Sequence, residues 1–561
     1  MLNSVVPAQL AAKAISPPES LAVTAALDHS SLSVRRHPHD LYFDIQSRNS
    51  YLWPKVVSIF KNSYDKRSFA LPVLDPGTCL DSLCTDRFVC FCTDSGPVVV
   101  LKHGSIRGQY MKVKGSEKVV EQYLGIPFAQ PPVGPLRLSA PSPVQGWEGI
   151  RNSTQHPFLC VQNLDWLSMM LKSMMLDFTP PEVSEDCLYL NVYTPSQRSE
   201  SDKLPVMVWI HGGSLLMSGA CAFDGSPLVA YENIVVVVIQ YRLGILGYFS
   251  TGDRNAQGNW GFLDQIAALQ WVQQNIESFG GDPQSVTIAG ESAGGISASF
   301  LTLSPMTMGL FQRAIFQSGV ANTPSHSIKD PLMFAKMVAN VTECDFSSNE
   351  VLTKCIKELT EEQLINATKK ALFSKDWVKG MEKKVVKQML DIFNKDGTSG
   401  VNEIIAEEYL KTAKTPEDIR NAFTEMLGDF FMVIPSIRAA SYYRDAGLPV
   451  YMYEFQHRPS IYKDLRPSFV KADHGDELVF VFGACFWDGH IKVEMFTEEE
   501  NQLCRTIMGY WANFIRTGSP NGPNLVNWPV YDKSNKYMNL GLQQTEGQGL
   551  KMDKLRFFTE E

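Results

Sequence analysis

Ser285-Val286-Thr287-Ile288-Ala289-Gly290-Glu291-Ser292-Ala293-Gly294-Gly295 decides how the chain is read. Residues 285–289 are short, apolar and partly β-branched, the mark of a buried strand. Gly290-Glu291-Ser292-Ala293-Gly294 follows, the only G-x-S-x-G in the chain, and Ile296, Ala298, Phe300 and Leu301 are apolar enough to open a helix. A strand, a tight turn and a helix together predict a nucleophile elbow. The two glycines leave room for a strained turn that lifts one serine hydroxyl above a sheet. The helix starting there aims free N–H groups at any oxyanion formed beside it.

Size and composition bound the answer. The chain has 561 residues, 44% of them apolar and 20% charged, as in an ordinary globular protein. Its net charge of −9 and the lack of a Lys/Arg run speak against nucleic acid as a partner. The apolar run 234–239 is far too short to span a bilayer, and the stretch 5–15 is interrupted by Pro7, Gln9 and Lys13, so no clear secretory signal is read there. Among eleven cysteines, Cys160 with Cys187 and Cys344 with Cys355 would each close a modest loop. N-x-S/T sequons stand at Asn152, Asn340 and Asn366. Both features favour an oxidising compartment.

Residues 1–95 differ from the rest. Ser/Pro-rich stretches surround Cys79, Cys84, Cys90 and Cys92, whose irregular spacings do not make a zinc pattern. This segment is expected to be a poorly ordered N-terminal extension, with one domain over 96–561. Strands are predicted at 97–101, 110–112, 204–210, 233–241, 313–318 and 450–455, and helices at 264–279, across most of 331–427, and at 498–515. Strands with continuous apolar runs alternating with helices predict an α/β fold, a mostly parallel sheet covered on both faces.

Acyl transfer to a serine needs a base, an orienter for that base and oxyanion donors. Ser292 is the candidate nucleophile. The strand over 204–210 delivers His211-Gly212-Gly213-Ser214, whose Gly213 and Ser214 N–H groups suit an oxyanion hole, with Ala293 N–H as a further donor. His211 is read as support for that loop. His474, in the polar stretch Asp473-His474-Gly475-Asp476-Glu477, is the candidate base, and its place after Ser292 agrees with the order Ser, acid, His. Asp473 and Asp476 are read as loop-fixing or solvated. No metal ligand set or cofactor motif emerges, so neither is expected.

The elbow, the His-Gly-Gly turn and residues 185–192, 258–270 and 473–478 together resemble the type-B carboxylesterase family of α/β-hydrolases, over about residues 97–556. The resemblance implies hydrolysis of carboxylic esters, including acyl-glycerols and other small-molecule or lipid esters, by a Ser/Glu/His triad without a cofactor. It also implies disulfides matching Cys160–Cys187 and Cys344–Cys355, and an ER-lumenal or secreted location. The chain departs from the pattern in three places. The unmatched segment 1–95 stands where the family has a signal peptide, and no retention tetrapeptide ends the chain. The triad glutamate is also missing: near 373–379 on the order of 60 family residues have no counterpart, and a strand with its acid goes with them. Asn402-Glu403-Ile404 imitates the lost motif but opens a different helix, so the triad acid is left unassigned. The sheet is expected either to lose a strand, with the last strand sliding over, or to fold poorly. Activity is expected to be impaired, the alternative being a catalytically silent binding protein of the same fold.

Overall fold

The computed structural model describes residues 2–7 through their backbone, and residues 96–199, 201–324, 330–368, 379–393, 400–491, 493 and 496–559. The expectations for residues 8–95, with their cysteine cluster, and for 373–378 lie outside the described residues. Eleven strands form one sheet: β1 (Leu2–Pro7), β2 (Gln109–Val113), β3 (Ser116–Pro127), β4 (Tyr189–Pro195), β5 (Leu204–Ile210), β6 (Val235–Ile239), β7 (Gly281–Glu291), β8 (Arg313–Gln317), β9 (Tyr451–Phe455), β10 (Lys536–Leu540) and β11 (Thr545–Gln548). Their spatial order is β11-β10-β9-β1-β8-β7-β5-β6-β4-β3-β2. Parallel pairing holds the centre, β6-β5-β7-β8, and recurs between β9 and β10. The remaining neighbours pair antiparallel.

The central strands are apolar along their whole length because both faces are covered. In β5, Val206, Val208 and Ile210 enter one core while Met207 and Trp209 enter the other, and β6 divides its residues the same way. Ile266 and Leu269 of the helix α2 (Trp260–Asn275) close the first face. Ile507, Trp511 and Phe514 of a long helix (Glu498–Thr517) close the second. Alternation of side chains across a pleated strand produces this division. No helix among the described residues is long and apolar enough to cross a membrane.

The slot of the missing strand is filled, and the expectation that the last strand would slide over is corrected. β1 lies between β8 and β9, antiparallel to both: Val5 is opposite Ile315 on one side and Tyr451 on the other. Six residues of the supposed extension therefore belong to the sheet. The physical reason is the cost of two bare strand edges, since each buried, unpaired backbone group costs roughly 1–3 kcal/mol. Leu2–Pro7 carries two adjacent valines, which suit an extended strand, and ends on Pro7, which cannot donate to a ladder.

Among the described residues there are three disulfides. Cys160–Cys187 and Cys344–Cys355 are joined by Cys485–Cys504, which the sequence reading did not foresee. The third bond ties the segment after His474 to the long helix Glu498–Thr517. Closing a loop with a sequence separation of 19 is worth about 3 kcal/mol in the chain-entropy account. Among the described residues Cys221 is a free, buried thiol.

Candidate active site

β7 ends at Glu291, and the helix α3 (Ala293–Leu303) begins one residue beyond Ser292. Ser292 joins them at φ 57°, ψ −124°, a backbone conformation that L-residues rarely adopt. The turn is held by Ser292 N–H donating to Gln317 O (2.8 Å) at the end of β8. The flanking glycines are needed for contact: a Cβ on Gly290 would lie 2.4 Å from the Gly294 carbonyl, and one on Gly294 would lie 2.0 Å from Ile210 O. Only bare backbone lets β5, β7 and α3 meet this closely.

The loop after β5 lies against the elbow, since a Cβ on Gly212 would sit 3.1 Å from Ser292 Cβ. Gly213, Ser214 and Leu215 have φ values of 98°, 58° and 60°, a left-handed run that turns the backbone toward the serine. Among the described residues no protein acceptor takes the N–H groups of Gly213, Ser214 or Ala293. His211 is buried and stacked on Tyr241, whose hydroxyl donates to His211 O (2.6 Å). Burial pushes the His211 imidazole down to about 4, so it is neutral and braces the loop.

His474 stands in a turn braced by its neighbours. Asp476 accepts from Asp473 N (2.7 Å) and from Arg466 Nη1 (2.7 Å), and Asp473 accepts from His474 N (2.8 Å). Ser292, His474, Gly213 and Ser214 line one cavity of about 690 Å³. Its wall is largely apolar, with Trp166, Met169, Met170 and Met174 on one side and Leu465 and Val470 on another. The first three belong to the helix α1 (Leu164–Ser173), which the sequence reading did not single out.

Among the described residues no hydrogen bond joins the Ser292 hydroxyl to the His474 ring. Instead His474 Nε2 lies 3.1 Å from Oε1 of Glu291, a carboxyl that burial pushes up to about 8. The imidazole keeps 39% of its side-chain surface open. The protein packed around it still lowers its pKa, against the pull of nearby Glu477 and Asp473. Glu477 is fully buried. Its Oε1 accepts from Gln317 Nε2 (3.3 Å), and Trp511 Nε1 donates to Gln317 Oε1 (3.1 Å). Burial, and then the neighbouring Glu291 charge, raise the Glu477 pKa. Glu403 lies exposed on the helix α4 (Val401–Leu410), and among the described residues it makes no contact with His474. Asn152, Asn340 and Asn366 are all exposed.

The model of the carboxylesterase family matches residues 95–387 and 373–558, which is most of the chain. The chain belongs to the carboxylesterase family. Similar relatives of this family include a cocaine esterase of Homo sapiens, 41% identical over 515 positions that cover 83% of this chain and 91% of that protein. A medium-chain fatty acyl-CoA hydrolase precursor of Anas platyrhynchos is 42% identical over 519 positions, covering 83% and 92%. A pyrethroid hydrolase of Rattus norvegicus is 41% identical over 513 positions, covering 83% and 90%. Carboxylesterases are carboxylic ester hydrolases with the α/β-hydrolase fold, and this chain shares both the class and the fold. The family match comes in two pieces that overlap over residues 373–387. The 515 aligned positions also exceed 83% of 561 residues, so many of the relative's positions face a gap in this chain.

Proposed function

We propose that this carboxylesterase cleaves esters through a serine acyl-enzyme, with Ser292 as nucleophile and His474 as base. Ser292 Oγ attacks the ester carbonyl as its proton passes to the imidazole. The carbonyl oxygen becomes an oxyanion and accepts from the N–H groups of Gly213, Ser214 and Ala293. Collapse expels the alkoxide, which takes the proton back from His474 and leaves as the alcohol. Water then repeats the sequence on the acyl-enzyme and releases the acid. The observation that carries this reading is the strained Ser292 lining one cavity with His474, beside three N–H groups that have no acceptor among the described residues. The Ser–His distance is not yet that of a hydrogen bond, a common state for a site without substrate.

The apolar lining suits esters with hydrocarbon acyl or alcohol groups, small-molecule or lipid. Without the family's acid, turnover sits below that of a complete triad, by up to about 10⁴-fold. The family setting, three disulfides and three exposed sequons favour an oxidising compartment, the ER lumen or the exterior. The test is hydrolysis of p-nitrophenyl butyrate by wild type and by Ser292→Ala. Wild type is expected to turn over with an initial burst, and the variant to fall to the buffer rate. Equal rates for the two would favour a silent, binding role.

A further inference from the structure

An imidazole that takes a serine's proton works best when a carboxylate fixes its other nitrogen and then faces the imidazolium. The carboxylate that the family uses is missing, yet four carboxyl groups surround His474. Both oxygens of Asp476 are engaged, one by Arg466 Nη1 and the other by Asp473 N. Asp473 is exposed and accepts from the backbone N–H of His474 itself. Glu477 Oε1 accepts from Gln317 Nε2 at 3.3 Å, and its Oε2 is buried without a hydrogen bond, but among the described residues no ion pair joins Glu477 to His474. Glu291 differs in its reach: its Oε1, also without a hydrogen bond, sits 3.1 Å from His474 Nε2. It is also chained directly to Ser292, so one elbow carries both the nucleophile and the carboxylate.

We propose that Glu291 is the positioning carboxylate of His474 in this chain, replacing the acid lost with the missing strand. The assignment rests on the reading of Ser292 and His474 given above. Closing that 3.1 Å approach into a hydrogen bond would hold the ring proton on Nε2 and leave the lone pair of the other nitrogen for the serine proton. The imidazolium so formed is then paired with the Glu291 carboxylate, and the proton returns to the departing alkoxide.

The arrangement has a pH signature. Burial pushes the Glu291 carboxyl up to about 8, so its carboxylate form grows as the pH rises. Glu477, Asp473 and Asp476 face the same imidazole, and Arg466 neutralises Asp476. Acylation by a fluorophosphonate probe is therefore expected to rise with pH along a limb near 8, above the limb of a histidine.

The experiment follows that labelling rate against pH in wild type, Glu291→Gln and Glu477→Gln, together with the ring ¹⁵N signals of His474. Glu291→Gln is expected to be labelled about 10²-fold or more slowly and to lose the limb near 8, whereas Glu477→Gln keeps that limb. The His474 ring signals are expected to shift in Glu291→Gln, a readout that needs no acylation. An unchanged limb and unchanged ring signals in Glu291→Gln would overturn the assignment, as would loss of the limb in Glu477→Gln alone. A wild type that takes no label at any pH would sink the nucleophile reading instead. The ring signals then still decide whether Glu291 holds the imidazole.

Discussion

Deleting residues 1–16 is expected to leave a chain that aggregates or melts far below wild type. β1 supplies partners to both β8 and β9, five register positions on one side and four on the other. Each ladder bond contributes about 0.5–1.5 kcal/mol net, and buried groups left unpaired cost roughly 1–3 kcal/mol each. A handful of such losses matches the entire margin of a folded domain, about 5–15 kcal/mol. A milder variant separates the pairing from simple truncation. Val5 lies opposite Ile315 and Tyr451 at once, so Val5→Pro removes a ladder donor in mid-sheet and leaves an acceptor unpaired, at an expected cost of about 1–3 kcal/mol. Thermal unfolding of the purified proteins measures both. A truncated chain that melts with wild type, or a Val5→Pro protein within about one degree of it, would show that the slot is stabilised without this strand.

Gly294→Ala is expected to remove activity and to destabilise the elbow together. The added methyl would stand 2.0 Å from Ile210 O and 2.9 Å from the His211 carbonyl carbon. Neither is a flexible side-chain end, so β5 or α3 must move. Because Gly213 and Ser214 continue directly from His211, the shift displaces the oxyanion donors as well as Ser292. Loss of one such donor costs about 10²–10³ in rate. Displacing both halves of the hole is expected to reduce ester turnover by more than about 10³-fold, with a melting temperature several degrees lower. Steady-state turnover and a melting curve on the same preparation check the two effects. Retained turnover would mean that the close approach of α3 to β5 is not needed.

The parts of the fold that were legible in sequence are those whose signal is local. β5 and β6 announce themselves because strands buried on both faces are apolar at every position, and the elbow because its glycines and serine fall within five residues. Lys536–Leu540 and the edge strand Thr545–Gln548 passed unnoticed, the second because Thr-Glu-Gly-Gln is largely exposed and carries no apolar run. β1 was invisible for a different reason. Six residues with two valines form a strand only because two distant edges lack a partner, and no local pattern encodes that vacancy. The Cys485–Cys504 bond likewise joins two ordinary cysteines 19 residues apart in different elements. At the site, Ser292, His474 and the Gly213–Ser214 turn could be picked from motif and chain order. Glu291 stood in plain view beside Ser292, but its meaning depends on where residue 474 comes to rest, which only the folded chain decides.

Mass mapping of the protein after exposure to a fluorophosphonate tests the central claim most directly. The expected result is one phosphonyl adduct, on the peptide that carries Ser292, absent from Ser292→Ala and sharply slowed in His474→Ala. No adduct on wild type, or the same adduct on Ser292→Ala, would contradict the assignment of Ser292 as the nucleophile of this carboxylesterase.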